Sequence, residues 1–210
     1  MHILVEIYGQ LFTVIVDPSG KLAWVPLIII KYYFSDAVAR FYVACVVEAF
    51  EYLHKRHYCY RDLKPENLMV DNNGYLRVVD LGFAKQVPPG KKTWTFCGTP
   101  EYIPPEIISN SGHNIAADYW SLGILVFELL ARRTPFRAKD DLAIYEGILR
   151  GIQSIQFPSK MSRKAQSIIK DQIKISLAIS RVNTVKLSTS RIEFYHIRND
   201  FYLCKVTLPS

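Results

Sequence analysis

Apolar residues recur at helical spacing from Val38 through Phe41, Cys45, Ala49 and Leu53, with Val46 and Phe50 widening the same face. Steps of i+3 and i+4 predict one amphipathic helix of about five turns. Ser35-Asp36 can cap it. Two short strands are expected next, Asn67 to Val70 and Tyr75 to Val79, around the turn Asp71-Asn72-Asn73-Gly74. Asn73-Gly74 is a strong hairpin signal because both positions tolerate positive φ. Asp118 to Leu130 is apolar nearly all round, which predicts a helix buried in a large core, with Asp118 as its cap. Asp140 to Arg150 reads as another helix, ended by Gly151. Lys164 and Lys170 fall on a further helix as solvated cations. Between these elements, Phe83 to Glu106 is rich in Gly, Pro and Thr and has little periodicity. A loop that long is usually functional.

The two ends read differently. Ile3 to Val16 is apolar and β-rich. Pro18-Ser19-Gly20 reads as a turn and Leu22 to Ile30 as an apolar run. That run is either a buried strand or intron-derived sequence in a gene model, and the second is preferred. After Lys170, Ile173 to Pro209 is rich in Ile, Val, Ser and Thr. Ile192 to Ile197 and Phe201 to Leu208 could pair as a hairpin across Arg198-Asn199-Asp200.

Composition narrows the class. A chain of 210 residues is one domain or slightly more, and half of it is hydrophobic, enough for a sizeable core. The formal charge of +7 comes without a basic run interleaved with aromatics, so nucleic acid is not an expected partner. Cysteines 45, 59, 97 and 204 show no C-x-x-C spacing and read as free thiols in a reducing compartment. His54 and His57 stand at i, i+3, but with no third ligand evident they read as structural or solvated. The N-terminus lacks a basic segment and carries Glu6 early, against a signal peptide. The run Leu22–Ile30 is too short for a bilayer, which needs about 20 residues. A soluble cytoplasmic protein without a membrane span is expected.

Chemistry concentrates in Tyr60-Arg61-Asp62-Leu63-Lys64-Pro65-Glu66-Asn67, followed 13 positions later by Asp80-Leu81-Gly82. The hairpin would fold Asp80 back beside Asp62 and Asn67. Two carboxylates, an amide oxygen and an ammonium would then share one edge. Phosphoryl transfer needs such a set: a base, oxygen ligands for Mg²⁺, and a cation for the phosphate in transit. A lone R-D or D-x-G would be only a solvated loop; the whole string is far more specific.

The string resembles the catalytic loop of eukaryotic Ser/Thr protein kinases of the cyclic-nucleotide-dependent (AGC) group. Tyr60 in place of His fits that group, as does Thr93-Trp94-Thr95-Phe96-Cys97-Gly98-Thr99-Pro100-Glu101-Tyr102. Phe41-Tyr42-x-Ala44-Cys45-Val46-Val47-Glu48-Ala49-Phe50, Gly90-Lys91-Lys92-Thr93-Trp94 and Ile148-Leu149-Arg150-Gly151-Ile152 point within it to the cGMP-dependent kinases. The resemblance runs from Ser35 to Lys170, and weakly over Ile3 to Val16. It implies a mainly α fold: a protein-kinase-like large lobe with a short catalytic β-hairpin and no small lobe. Residues 1–16 would be the hinge, Leu4 to Gly9, and the start of the large lobe, its first helix opening at Gly9-Gln10-Leu11-Phe12-Thr13. Residues 17–34 would be an atypical insertion, 35–170 the large lobe, and 171–210 a divergent β-rich tail.

The resemblance also implies roles. Asp62 would accept the substrate hydroxyl proton, Lys64 would neutralise the transferring phosphate, and Thr99 would hydrogen-bond both, favouring a Ser/Thr acceptor. Asn67 and Asp80 would hold Mg²⁺. Glu6 and Met69 would join them in binding ATP. Thr95 is either the activation-loop phosphosite, modified by an upstream kinase and paired with Arg61 and Lys85, or an unmodified loop hydroxyl. Glu66 and Glu128 either select basic residues on protein substrates or are surface carboxylates. Gln10 stands where the family often has an acid. Asp118 would also bind the catalytic-loop backbone near Tyr60-Arg61. Pro104 replaces the Ala of A-P-E and Leu81 the Phe of D-F-G. Glu106 would lose its usual Arg partner. No Gly-rich loop or V-A-x-K strand precedes the hinge, so this chain is expected to show no phosphotransfer. Two functions stay open: a Ser/Thr kinase whose true chain is longer, or a kinase-like binding or scaffold module without catalysis.

Overall fold

The computed structural model describes residues 34–71 and 74–174 in full. It gives only the backbone for residues 175–181 and for the strands His2–Ile7, Gln10–Val16, Leu22–Pro26, Ile192–Tyr195 and Leu203–Val206. The first three strands are β1, β2 and β3, each antiparallel to the next. Gln10–Val16 is therefore a strand, not the opening of a helix; its β-branched and aromatic residues favour the pleated form. The strand reading of Leu22–Ile30 holds for Leu22–Pro26. Residues 8, 9, 17–21 and 27–33 lie outside the described residues.

Helix α1, Asp36–His54, starts where expected: Ser35 Oγ accepts from Val38 N at 3.3 Å. Its buried face is Ala39, Val43, Val46, Val47 and Phe50. Val38 and Phe41, assigned to that face from the spacing, are instead 41% and 44% exposed. The helix is apolar on two sides, so spacing alone selects neither; Phe41 packs at a tilt against Tyr75, ring centroids 5.6 Å apart. A two-residue strand β4, Tyr58–Cys59, follows, then β5, Leu68–Asp71, and β6, Leu76–Val78. The last two form the expected hairpin, with Leu68 opposite Val78 and Val70 opposite Leu76. Residues 72 and 73 of its turn lie outside the described residues.

The hairpin does not stand alone. The backbone of β3 pairs with β5, Trp24 opposite Asp71 and Pro26 opposite Met69, so one five-stranded sheet runs β1-β2-β3-β5-β6. Strand β7, Lys85–Gln86, pairs with β4. Helix α2 is the single turn Pro105–Ile108. Helix α3, Ala116–Ala131, is buried without a break from Ala116 to Phe127, as its all-round apolar sequence requires. Asp118 is not its cap; it sits inside the first turn, and Ile115 holds the cap position. Helix α4, Asp141–Arg150, is capped by Asp140, whose carboxylate accepts from Ala143 N at 2.9 Å, and ends at Gly151.

Helix α5 spans Arg163–Arg181, well past Lys170. Ile169 and Ile173 are fully buried, and Gly123 of α3 lets them approach: a Cβ there would meet Ile173 at 3.2 Å. Residues 171–181 are thus helix, with Gln172 and Ile173 buried, not β-rich tail. Ile173 continues the apolar face that Ala165, Ile168 and Ile169 begin, and Gln172 is buried beside it. Beyond them, β8, Ile192–Tyr195, and β9, Leu203–Val206, pair as the expected hairpin, Ile192 opposite Val206. The side chain of Cys204 lies outside the described residues. Among the described residues no helix is long and apolar enough to cross a membrane.

Two buried carboxylates sit in this core under opposite conditions. Asp118 is fully buried and saturated: it accepts from Tyr60 N and Arg61 N at 2.9 Å each and pairs with His54 Nε2 at 2.7 Å. Glu106 is 5% exposed, and neither carboxylate oxygen has a hydrogen-bond partner among the described residues. Burial pushes its pKa up to about 7.

Two outcomes follow for folding. Asp118→Ala strands two buried N–H groups and His54, and should lower stability by about 3 kcal/mol or more in urea unfolding. His57→Ala, at an exposed position, should be near neutral. A carboxyl with a raised folded-state pKa stabilises fully below its unfolded value and loses that contribution as pH climbs to the folded one. Relative to Glu106→Gln, the native chain should therefore lose about 3 kcal/mol between pH 4.5 and 8. Parallel pH–stability curves for the two proteins would refute the buried, unpaired state of Glu106.

Candidate active site

The site is built on the loop between β4 and β5. Asp118 pulls two consecutive N–H groups, those of Tyr60 and Arg61, onto one carboxylate. Arg61 adopts φ 70° to do so, a conformation that costs a non-glycine residue about 1–3 kcal/mol. Tyr60 is fully buried, and its hydroxyl donates to Val79 O, tying the loop to the end of β6. Burial, and then Asp62, push the phenol's pKa upward, so it stays a donor.

Asp62 follows at 3% exposure of its side chain. Lys64 Nζ reaches both its oxygens, at 3.2 and 2.9 Å. Asn67 Nδ2 donates to its Oδ2 at 2.8 Å and to its backbone carbonyl at 2.9 Å. Thr99 Oγ1 donates to Oδ1 at 3.2 Å, the oxygen Lys64 also uses. Thr99 comes from the far side of the long loop. Gly98 makes the approach possible: at φ +108°, a Cβ there would lie 2.7 Å from Ile103 Cγ2 and 3.0 Å from Arg61 O.

Asp80 stands at the end of the hairpin, exposed, at φ 58°, its carboxylate accepting from Gly82 N at 3.0 Å. Val79 N donates to Asn67 O at 2.9 Å, which brings the Asp80 end of the strand to Asn67. With its nitrogen committed to Asp62, Asn67 has its amide oxygen left for a cation. Asn67 and Asp80 thus offer hard oxygen donors of the type Mg²⁺ takes. Among the described residues no group of three His, Cys, Asp or Glu forms a metal cluster. His54 is structural, held by Asp118 and near the Tyr119 hydroxyl.

The remaining expected residues are more scattered. Met69 is 5% exposed, and its strand β5 pairs with β3 on one edge and β6 on the other. Glu6 lies in β1, and its side chain lies outside the described residues. Thr95 is exposed, while Lys85 Nζ donates instead to Thr93 Oγ1 at 2.9 Å. Arg61 Nε donates to Phe83 O at 2.8 Å, and its Nη1 is buried without a partner among the described residues. Glu66 is exposed; Glu128 is half-buried and bonded to the Tyr102 hydroxyl. Burial raises the Glu128 pKa, helped by Glu66 and Glu101 nearby. Glu101, held by Thr134 Oγ1 at 2.9 Å, is a third acid that sequence reasoning left out, although it lies inside the string quoted for the loop. The Cys59 and Cys97 thiols are buried, and burial pushes both pKa values up, away from reactivity.

Comparison with known proteins agrees with this geometry. The protein kinase domain family matches residues 13–186. cGMP-dependent protein kinase, isozyme 2 forms cD5/T2, of Drosophila melanogaster is 51% identical over 162 residues, 77% of this chain and 16% of that protein. Isozyme 1 of the same organism is 58% identical over 137 residues, 65% of this chain and 18% of its own length. Human cGMP-dependent protein kinase 2 is 53% identical over 137 residues, again 65% and 18%. The chain thus spans less than a fifth of the curated relatives it matches. With the family match covering most of the chain and the catalytic-loop residues gathered as described, the chain belongs to the protein kinase domain family.

Proposed function

We propose that this chain carries the catalytic large lobe of a Ser/Thr protein kinase of the cGMP-dependent type. It would move the γ-phosphoryl group of ATP to a Ser or Thr hydroxyl near basic residues of a protein. One observation supports this above the rest: Asp62 is held by Lys64, Asn67 and Thr99 together. In the transfer, the substrate oxygen attacks the γ-phosphorus as the bond to the β-phosphate oxygen breaks. The hydroxyl proton passes to Asp62, and ADP leaves. Lys64 lies beside the path of the phosphoryl group. Asn67 and Asp80 would hold Mg²⁺, which supplies positive charge against the phosphates. Glu66, Glu101 and Glu128 repel one another, so a basic side chain entering among them relieves that repulsion. A phosphate on Thr95, placed by an upstream kinase, would answer the cations Arg61 and Lys85.

A second reading has its own support. Pro26 stands opposite Met69 in the sheet, and Met69 is 5% exposed, so the residue expected under adenine offers little surface to a base. On that reading this polypeptide docks basic partners without catalysis.

One assay separates the two readings. The 210-residue chain and any longer product of the same locus are given Mg-ATP and an Arg-flanked Ser peptide. The short chain is expected to show no phosphotransfer. The longer product should be active, and Asp62→Asn should lower its rate about 10²–10⁴-fold. Activity indifferent to Asp62→Asn would remove the proposed base. A longer product that binds the peptide and never phosphorylates it would favour the docking module.

A further inference from the structure

The sheet ends at β6, and the last strand of a sheet shows a row of backbone groups that no strand has taken. Register fixes which groups these are. Asp71 N donates to Tyr75 O and Val79 N to Asn67 O, so Tyr75, Arg77 and Val79 turn their backbone bonds toward β5. Leu76 and Val78, between them, turn theirs outward. The Leu76 N–H is met by the Cys45 thiol of α1. The outward N–H and C=O of Val78 meet no partner among the described residues. A cavity of about 550 Å³ lies along this edge. Four consecutive residues, Tyr75 to Val78, line it, together with Cys45, Glu48 and Ala49 of α1. Successive side chains of a strand point to opposite faces. A cavity that touches all four therefore follows the edge and not one face. Tyr75 also packs against the exposed Phe41, so apolar surface continues past the cavity. Edge strands are commonly guarded by a charged side chain. Arg77 does not guard this one: its Nε and Nη2 donate to Asp71 Oδ2 at 3.2 and 3.0 Å, which draws the guanidinium back toward β5. Glu48 is exposed beside the cavity, and no cation pairs with it among the described residues.

We propose that this edge is a docking groove for an extended segment of a partner protein, which adds to β6 as a further strand and sets an apolar side chain and a Lys or Arg, two positions apart, against α1. The backbone of the segment pairs with the outward groups of Val78. Its alternate side chains then share the face turned to α1. The apolar one fills the space over Cys45 and Ala49, and the cation answers Glu48. Main-chain pairing supplies affinity, and the two side chains select the partner. The docking depends on neither reading of the function: Asp62, Lys64 and Thr99 take no part in it, and no covalent step is involved.

The test uses the 210-residue chain and the peptide Ser-Lys-Thr-Val-Thr-Val-Ser, labelled with fluorescein and followed by anisotropy. Binding should saturate, and replacing the Lys by Glu should weaken it about tenfold. In the protein, Glu48→Lys should reverse that preference. Two peptides N-methylated at alternate residues should part company: one keeps its binding, and the other, whose amides face β6, loses it. Val78→Pro removes an outward N–H that no neighbouring strand uses, and should abolish binding. Its fold is checked by circular dichroism; if it does not fold, Glu48→Lys, at an exposed position, decides together with the N-methylated pair. Failure of every version to bind overturns the proposal. So does binding that tolerates both N-methylated peptides, because such binding does not use the strand edge. A chain that sediments as a dimer before peptide is added, and as a monomer with Glu48→Lys, gives the edge to a second copy and overturns the partner.

Discussion

One buried carboxylate holds this molecule in its working shape. Asp118 has no access to water, so its charge must be answered inside the protein. Tyr60 N, Arg61 N and His54 answer it. These partners come from α1 and from the loop after β4, while Asp118 belongs to α3. One group thus joins the entry helix, the catalytic loop and the central helix. It also sustains the left-handed backbone of Arg61, which would otherwise relax. The position of Asp62, the next residue, follows from that turn.

The long loop is held against this frame by small residues and backbone contacts. Gly98 lets the chain pass close to Arg61 O, and Thr99 then reaches Asp62. A few residues earlier, Thr93 pairs with His113, and Lys85 caps the Thr93 hydroxyl. Thr93, paired with His113, and Thr99, bonded to Asp62, are therefore two anchor points of one tethered segment.

The N-terminal strands add a constraint of a different kind. Pairing of β3 with β5 turns a two-stranded hairpin into the edge of a five-stranded sheet. It removes an exposed edge, which is a benefit to any isolated hairpin. It also leaves Met69 buried. The same pairing thus supports the hairpin that leads to Asp80, on a strand whose Met69 offers little surface.

Much of this was legible in the sequence, because the relevant signals are local. The catalytic string, the β5–β6 hairpin, the caps at Ser35 and Asp140, and the all-apolar stretch of α3 each carry their own short-range chemistry. Separations as short as the one from Asp62 to Asn67 translate directly into side-chain contacts. Long-range choices were not legible. Two apolar stripes on α1 compete, and only the packing of Val43, Val46 and Phe50 selects one. Gln10–Val16 becomes a strand because β1 and β3 pair with it on either side. Helix α5 runs on to Arg181, with Ile169 and Ile173 packed where Gly123 leaves room. His54 finds Asp118 sixty-four residues away, and His113 finds Thr93 across a loop. Local hydrogen-bonding preference and periodicity are written residue by residue. Burial and pairing across the chain depend on which surfaces meet, and only the tertiary structure decides that.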